Sequence, residues 1–274
     1  MRSFAAAARG LDFAPQNRQN PAKHGFGHWL GHMRALRGLV LGLCVAALTA
    51  CASTPPTPEM LANNDPYEPI NRETLKFNAK IDKYFVIPTV GLYFIAVPEP
   101  GRRGVHNFLG HLSLPIIFVN DVLQGETKRG AQSLGRIVIN STLGLGGFFD
   151  PAAKMGIPGH GEDMGQTLAT HGVKEGPYLV LPFFGPSNPR DATGLAVDAA
   201  IDPTNQIPMK QHIWWAVGRE YFTLLDLRAQ TYQTIQGIQR SSVDYYSSLR
   251  SLYRQLRKDQ IANGHLQTQD LPDF

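Results

Sequence analysis

Hydrophobic and polar positions divide this chain into blocks of different character. A 13-residue apolar run, Gly38–Ala50, stands apart near the beginning. Four charge-poor stretches then fill the middle: 84–98, 108–123, 137–149 and 178–189. Pro88, Gly91, Pro115 and the glycines after Leu143 interrupt them. None reaches the ~20 apolar residues that a membrane-spanning helix requires. Leu75, Asn78, Ile81 and Phe85 recur at helical spacing, which predicts a helix from Asn71 to about Tyr84. From Trp214 to about Ala262, Leu224, Leu227, Ile235, Ile238, Leu249, Leu252 and Leu256 form an apolar stripe with mostly three- or four-residue steps. Arg228, Arg240, Arg250, Arg254 and Arg257 sit off that stripe. A long C-terminal amphipathic helix is expected there, bent or divided at Gly237, with Asn263-Gly264 as its C-cap. Period-two alternation is rare and no internal repeat is found, so the expected class is all-α.

Short apolar segments broken by Pro and Gly have two physical readings. They are the buried helices of an ordinary α-domain, or they lie at partial depth in a membrane, where a broken backbone is tolerated if it packs on protein or lines a cavity.

The run before Cys51 bears on that choice. Leu48-Thr49-Ala50-Cys51 has the form of a bacterial lipobox. Arg34 and Arg37 supply the basic flank of a secretory signal, and Gly38–Ala47 its apolar centre. The unit begins at Met33, the expected natural start, with residues 1–32 an over-extended reading of the gene. Cleavage before Cys51 would leave a nucleophilic thiol to take the lipid. At ~0.8 kcal/mol per buried methylene, two or more acyl chains hold a protein stably on a bilayer. Ala52, a non-acidic residue after the cysteine, resembles an outer-membrane address. The expected organisation is a leader and signal over 1–50, a flexible Pro/Thr-rich tether over 51–64, one domain over 65–264 and a tail over 265–274. Anchoring already places the domain at a bilayer, which favours the membrane reading of the apolar stretches.

Charge and cysteine content narrow the class further. The formal +4 comes from the leader: six of the 26 basic residues and one of the 22 acidic ones precede Cys51, so the mature chain carries −1. It offers no basic surface interleaved with aromatics for nucleic acid. Cys44 leaves with the signal and Cys51 carries lipid, so no disulfide is available.

Catalytic signatures are absent: no G-x-S-x-G, H-E-x-x-H, phosphate-loop or C-x-x-C pattern occurs. The best candidate cluster is His160, Glu162 and Asp163, with His171 nearby, which could share a proton or hold a metal. The competing reading is a solvated loop with Asp163 capping the next helix. A periplasm-facing lipid hydrolase built on that loop, or a ligand-free structural lipoprotein, remain alternatives. No metal or cofactor is expected beyond the covalent lipid on Cys51.

Several motifs in one order carry a resemblance. Asp65-Pro66-Tyr67-Glu68-Pro69-Ile70-Asn71-Arg72 opens the domain. Asn107-Phe108-Leu109-Gly110, Val119-Asn120 and Leu123-Gln124-Gly125 follow, then Arg136 and the run Ile139–Asp150. Gln166-Thr167-Leu168, Gly176-Pro177-Tyr178, Leu181–Pro186, Arg190-Asp191 and Ile261–Gly264 complete the set. This order resembles the MlaA/VacJ family of phospholipid-transport lipoproteins. The resemblance implies an all-helical, ring- or disc-like domain embedded from the inner face of the outer membrane and enclosing an amphipathic channel. It also implies association with trimeric porins and transfer of mislocalised outer-leaflet phospholipids to a soluble periplasmic carrier, with no covalent chemistry. On that basis Leu143, Gly144, Gly146, Gly147, Phe148 and Phe149, with Phe183 and Phe184, are expected to lie along the channel or its mouth.

Overall fold

A computed structural model describes residues 55–205 and 212–263. The expected signal peptide, the lipidation site Cys51, Gly264 and the tail 265–274 lie outside the described residues.

The described chain is helical apart from one small hairpin. Helix α1 (Pro58–Ala62) is capped by Thr57, whose Oγ1 accepts from the Met60 amide at 3.2 Å. It corrects the expectation of an extended tether as far as residue 64. Asn64 holds a left-handed turn (φ 48°), which Asn tolerates better than most residues. That turn is fastened to distant chain: Asn64 Nδ2 donates to the Gly176 carbonyl at 2.8 Å, and the Tyr178 amide donates to the Asn64 carbonyl at 2.9 Å.

Helix α2 (Glu68–Ile81) passes directly into a π-helical turn, Asp82–Val86, and then into α3 (Ile87–Ala96). Pro88 is the cause: it has no N–H to continue the α-ladder back to Tyr84, and the backbone widens, the Ile87 amide reaching the Asp82 carbonyl. The break expected at Pro88 is therefore a change of pitch. Helix α4 (Glu99–Leu123) runs 25 residues straight through Pro115, where a break was expected. Its inward stripe of Leu109, Leu114, Ile116 and Ile117 packs on both sides of the proline and holds the helix together.

A tight turn at Gly125 leads into α5 (Thr127–Thr142), antiparallel to α4 and its most extensively packed partner. After the loop 143–150 come α6 (Pro151–Lys154), capped by Asp150, and α7 (Met164–Thr170), capped by Asp163. The hairpin β1 (Leu179–Leu181) and β2 (Gly185–Ser187) pairs Val180 with Pro186. Strands of three residues cannot display an alternation, which is why the sequence reading passed over them. Helix α8 (Pro189–Ile201), capped by Asn188, crosses α7 so closely that a Cβ on Gly194 would fall 2.3 Å from the Gly165 nitrogen.

The expected long C-terminal helix is three: α9 (His212–Gln230), α10 (Tyr232–Ser241) and α11 (Tyr245–Ile261). Gly237 lies inside α10 and divides nothing. The second break is set by Asp244, which caps α11 through the Tyr246 amide and receives a forked pair of hydrogen bonds from Arg72 at 3.1 and 2.6 Å. Burial partly reverses the expected faces: Tyr246 is buried, Leu224, Ile235, Ile238, Leu249 and Leu252 are half-buried and Arg240 is exposed as expected, but other positions exchange sides. Arg228, Arg250 and Arg257 are buried, while Leu227 and Leu256 are exposed.

That reversal extends through the described residues. Seventeen polar or charged residues are buried against ten hydrophobic ones. The principal apolar cluster is small: Tyr178, Val180 and Tyr246, with Leu75 and Tyr253 against it. Beside it lies Asp65, fully buried, whose carboxylate accepts from Tyr246 Oη at 2.5 Å, Arg250 Nη1 at 2.7 Å and Asn71 Nδ2 at 2.9 Å. Asn71 also donates to the Tyr178 carbonyl and accepts from the Val180 amide. The opening motif Asp65–Asn71 thus joins α2, β1 and α11.

Removing one partner of such a buried group strands the other. Asp65→Ala is expected to destabilise the domain by about 3–5 kcal/mol by stranding the Tyr246 hydroxyl and leaving Arg250 only Glu68, at 3.5 Å. A urea midpoint within 0.5 M of wild type, at roughly 1–3 kcal/mol per molar of urea, would sink this account of the fold.

Candidate functional site

Helices α4 and α5, with the loops that follow α5, border an open cavity of about 160 Å³ with a mixed polar and apolar lining. His106, Asn107, Gly110, His111 and Ser113 come from one face of α4, with Leu114 and Ile117 at its base. Arg136 and Asn140 come from α5, Asp150 from the end of the next loop, and Gly159 and His160 from the segment before α7. Arg136 is gripped twice, donating to Asp150 Oδ2 at 2.7 Å and to the Ile157 carbonyl at 2.8 Å. Burial alone would raise the Asp150 carboxyl; hydrogen bonds from Arg136, Asn140 and the Ala153 amide outweigh it and hold the group below the usual carboxylate range. His111 is pushed the other way for its type: burial, then the Arg136 charge, lowers its pKa and keeps the ring neutral.

The loop Leu143–Phe149 is built onto this cavity. The Gly147 amide donates to the Asn140 carbonyl at 2.8 Å, and the Phe149 amide to the Gly144 carbonyl at 2.9 Å. A Cβ at Gly147 would lie 2.4 Å from the His111 ring, and one at Gly144 would lie 2.5 Å from the Asn140 and Phe149 carbonyl oxygens. Phe148 packs on α4, 5.8 Å from the Phe108 ring and over Gly104, where a Cβ would fall 2.7 Å from it. Leu143, Leu145 and Phe149 project outward and are exposed.

The residues expected along one path occupy two places. Leu143–Phe149 sit on α4 beside the cavity. Phe183 and Phe184 instead form the tip of the β-hairpin, where the Phe183 ring meets Phe77 of α2 edge-on at 5.5 Å and its amide donates to Asn78 Oδ1. Both rings are exposed, and neither lines the cavity.

The cluster considered for hydrolysis does not converge. His160 Nε2 faces Asp121 at 2.9 and 3.0 Å. Glu162 is paired with Arg129 at 2.5 Å and Gln124 at 2.8 Å, Asp163 with Arg257 at 2.6 Å, and His171 Nδ1 with the Thr167 carbonyl. Ser133 lies near, but its hydroxyl donates to Asp121 at 2.6 Å, and the same His160 nitrogen faces both groups. A relay needs a different ring nitrogen for each. These contacts fasten α4, α5 and the loop before α7, and Asp163 is the helix cap. Among the described residues no group of three acidic, His or Cys side chains is placed to hold a metal ion. Asn120 and Asp121 are both fully buried; from the sequence Asn120 entered only within the Val119-Asn120 motif, and Asp121 was not singled out. Their signal was present, as two adjacent polar residues inside an apolar stretch.

Comparison with known proteins agrees with this architecture. The sequence model of the MlaA lipoprotein family matches residues 63–260. The chain belongs to that family. An intermembrane phospholipid transport system lipoprotein MlaA from Shigella flexneri is 35% identical over 246 residues, covering 87% of this chain and 94% of its own length. The protein of the same name from Haemophilus influenzae is 32% identical, covering 84% and 93%. A solved structure from work on the structural basis for maintenance of bacterial outer membrane lipid asymmetry aligns with a TM-score of 0.65 at 30% identity, over 72% of this chain and 98% of that one. The family match takes in the Asp65–Asn71 motif, the cavity, the 143–150 loop and the hairpin. Cys51 precedes it.

Two outcomes follow for this region. Gly147→Ala and Gly144→Ala should each lower the thermal midpoint more than Gly146→Ala, which meets the strain of a left-handed backbone (φ 71°) but no clash, since nothing lies within 4 Å of a Cβ there. Equal effects, read by circular dichroism, would mean that close approach does not set the loop. Acidification should also weaken the domain. Burial would raise Asp163 and Asp191, but Arg257 and their other hydrogen bonds outweigh it and lower both. The stability they contribute is therefore complete above the unfolded value of about 3.9 and is lost as pH falls through their lower folded values. Arg257→Met should flatten that dependence in urea titrations between pH 2 and 5; an unchanged slope would show that the pair is not responsible.

Proposed function

We propose that this protein is an outer-membrane lipoprotein that moves phospholipids between the membrane and a periplasmic carrier, maintaining lipid asymmetry. The observation that carries the reading is the inverted burial. Charged and amide side chains make up much of the interior, while Tyr84, Phe85, Leu92 and Ile95 around α3, and Trp214, Val217, Tyr221 and Phe222 on α9, face outward. Ile95 is 86% exposed. Monomers in water rarely expose contiguous apolar surface beyond a few hundred Å². No described helix is long and apolar enough to cross a membrane. Apolar helices of sub-spanning length suit a protein seated in one leaflet, with Lys83 over the Tyr84 ring and Arg102 over the Phe94 ring as interfacial anchors at the two ends of α3.

A phospholipid has the same divided chemistry. Its acyl chains require apolar surface, and its charged headgroup costs several kcal/mol to bring into hydrocarbon unless polar groups receive it. The 143–149 loop, apolar outside and set against a cavity lined in part by polar groups, meets both needs. On this reading the path runs past Leu143, Leu145 and Phe149, with Gly144 and Gly147 permitting the close seat on α4. The names of the relatives supply the system: an intermembrane phospholipid transport apparatus. Trimeric porins, which would hold the protein in the outer membrane, and a soluble carrier that accepts the lipid are the partners this reading calls for. The direction is from the outer leaflet inward, with the lipid on Cys51 targeting and orienting the domain.

The reading is tested by releasing the anchor. Cys51→Ala should remain partly membrane-bound until Phe85→Glu, Leu92→Glu and Ile95→Glu are added, and membrane-extracted protein should carry phospholipid in near-stoichiometric amount by mass spectrometry. Complete release of Cys51→Ala as a lipid-free monomer would reduce the anchor to a simple tether and remove the embedded carrier.

A further inference from the structure

Helix α2 has two faces of different chemistry. Asn71 is buried, Leu75 packs on the apolar cluster and Asn78 donates to the Leu181 carbonyl at 2.9 Å, so these residues mark the inward side. Lys76, Lys80 and, in the π-helical turn, Lys83 follow at i, i+4 and i+7 on the outward side, and all three are exposed. Phe77 and Tyr84, also seven apart and exposed, run alongside them, with the Lys83 ammonium 5.5 Å from the Tyr84 ring centroid. Asn78 carries the aromatic row onto the hairpin. It accepts from the Phe183 amide at 2.8 Å, which sets the Phe183 ring against Phe77, with exposed Phe184 next in the chain. At its other end the row runs into Phe85 and the exposed apolar residues of α3.

Charge decides what such an edge fits. The carboxylates near it are already answered: Glu73 pairs with Lys76 at 2.7 Å, Asp82 receives Arg228 and Glu99 receives Arg103. Lys80 and Lys83 form no ion pair with a described carboxylate. The hairpin brings no charge either, since none occurs from Tyr178 to Pro189. A row of aromatic rings flanked by free lysines is the pattern of a segment lying in the headgroup region of an anionic bilayer. The rings settle at headgroup depth, and each lysine near the surface is drawn to its negative potential. That attraction has to be local, because the mature chain as a whole carries −1.

We infer that this edge of α2, with the hairpin tip, is an interfacial site for anionic phospholipid, in which Lys80 and Lys83 meet headgroups of the phosphatidylglycerol type while Phe77, Tyr84, Phe183 and Phe184 lie at headgroup depth. The inference rests on the reading that the domain is seated in a leaflet, and adds which lipids border it and where. An ammonium is a compact point charge, so the site selects headgroup charge and not headgroup shape.

The test uses the mature chain from residue 51, with Cys51→Ala so that no acyl chain contributes. Its probes are vesicles of phosphatidylcholine alone and of equimolar phosphatidylcholine and phosphatidylglycerol. Flotation should show tighter binding to the mixed vesicles, with the difference lost at about 1 M salt, where the Debye length falls to about 3 Å. Lys80→Gln with Lys83→Gln should weaken binding to the mixed vesicles about 25-fold, about fivefold for each lysine, and leave binding to pure phosphatidylcholine unchanged. Lys80→Arg with Lys83→Arg should keep the preference. Phe184→Ser should weaken binding to both vesicles alike. Equal binding to both vesicles before substitution, or a preference that survives the double Gln variant, would overturn the inference and leave the leaflet reading standing. A photocrosslinking residue in place of Lys80 that captures an acidic protein and no lipid in cells would overturn it in favour of a protein partner. Failure to bind either vesicle would remove the leaflet reading itself, and the inference with it.

Discussion

The buried carboxylate of Asp65 closes this domain. It lies at the start of the fold and is satisfied by Tyr246 and Arg250 near its end and by Asn71 between. Two guanidiniums lie over the Tyr246 ring, that of Arg72 4.3 Å and that of Arg250 5.6 Å from its centroid. Burial, then the Asp65 carboxylate, raises the phenol's pKa and keeps the proton on the donor. Asn71 extends the arrangement to the backbone of Tyr178, just before β1, and of Val180 within it, so a side chain fastens the hairpin to α2. Few apolar contacts accompany these bonds. The geometry of the first and last helices is set by directional polar groups.

Such a core has a physical rationale. A protein that turns apolar side chains outward cannot also rely on burying them. Polar networks supply the missing specificity because each donor has a limited set of acceptors. The pattern repeats away from Asp65. Asp163 and Asp191 receive Arg257 from α11, with Tyr253 donating to Asp191 at 2.5 Å. Asp82 in the π-turn receives Arg228 from α9 at 2.8 and 2.9 Å. Asp121 and Glu162 draw α5 and the loop before α7 onto α4 through Ser133, His160 and Arg129. The Arg257 and Arg228 junctions lie between elements distant in sequence, where hydrophobic packing would otherwise be expected.

This partition also separates what was legible in the sequence from what was not. Helical spacing showed that Glu68–Ile81 and the C-terminal region were helical, and the ordered motifs led to the family. Periodicity, however, reports that two faces differ without saying which one meets solvent. A face bearing Arg250 and Arg257 reads as solvated by default, and only the positions of Asp65, Asp163 and Asp191 in three dimensions make it the buried one. The division of the C-terminal helix was expected at Gly237, and its true position was missed for a similar reason: Asp244 acts by capping α11 and by receiving Arg72, 172 residues away in sequence. Pro115 was over-read, since helix packing on either side compensates for a single missing N–H. Leu143–Phe149 were expected along a path on the strength of the resemblance, and Arg136 entered with the same motifs, whereas His111, which also lines the cavity beside the loop, carries no mark in isolation.

The loop and the cavity constrain each other through one contact. Gly147 lies so close to His111 that no side chain fits between them, and His111 Nε2 in turn meets Ser141 in the last turn of α5. The ring is therefore clamped between the loop on one side and the helix opposite. Displacing the loop would free the ring, and rotating the ring would press against the loop. Exposed Leu143, Leu145 and Phe149 are thus joined through Gly147 and His111 to the wall of the cavity. The ends of the same segment are held to each other, the Asn140 amide donating to Asp150 Oδ1 at 2.9 Å. That closure fixes the span of the loop, so the placement of its apolar side chains beside the cavity is a property of the fold.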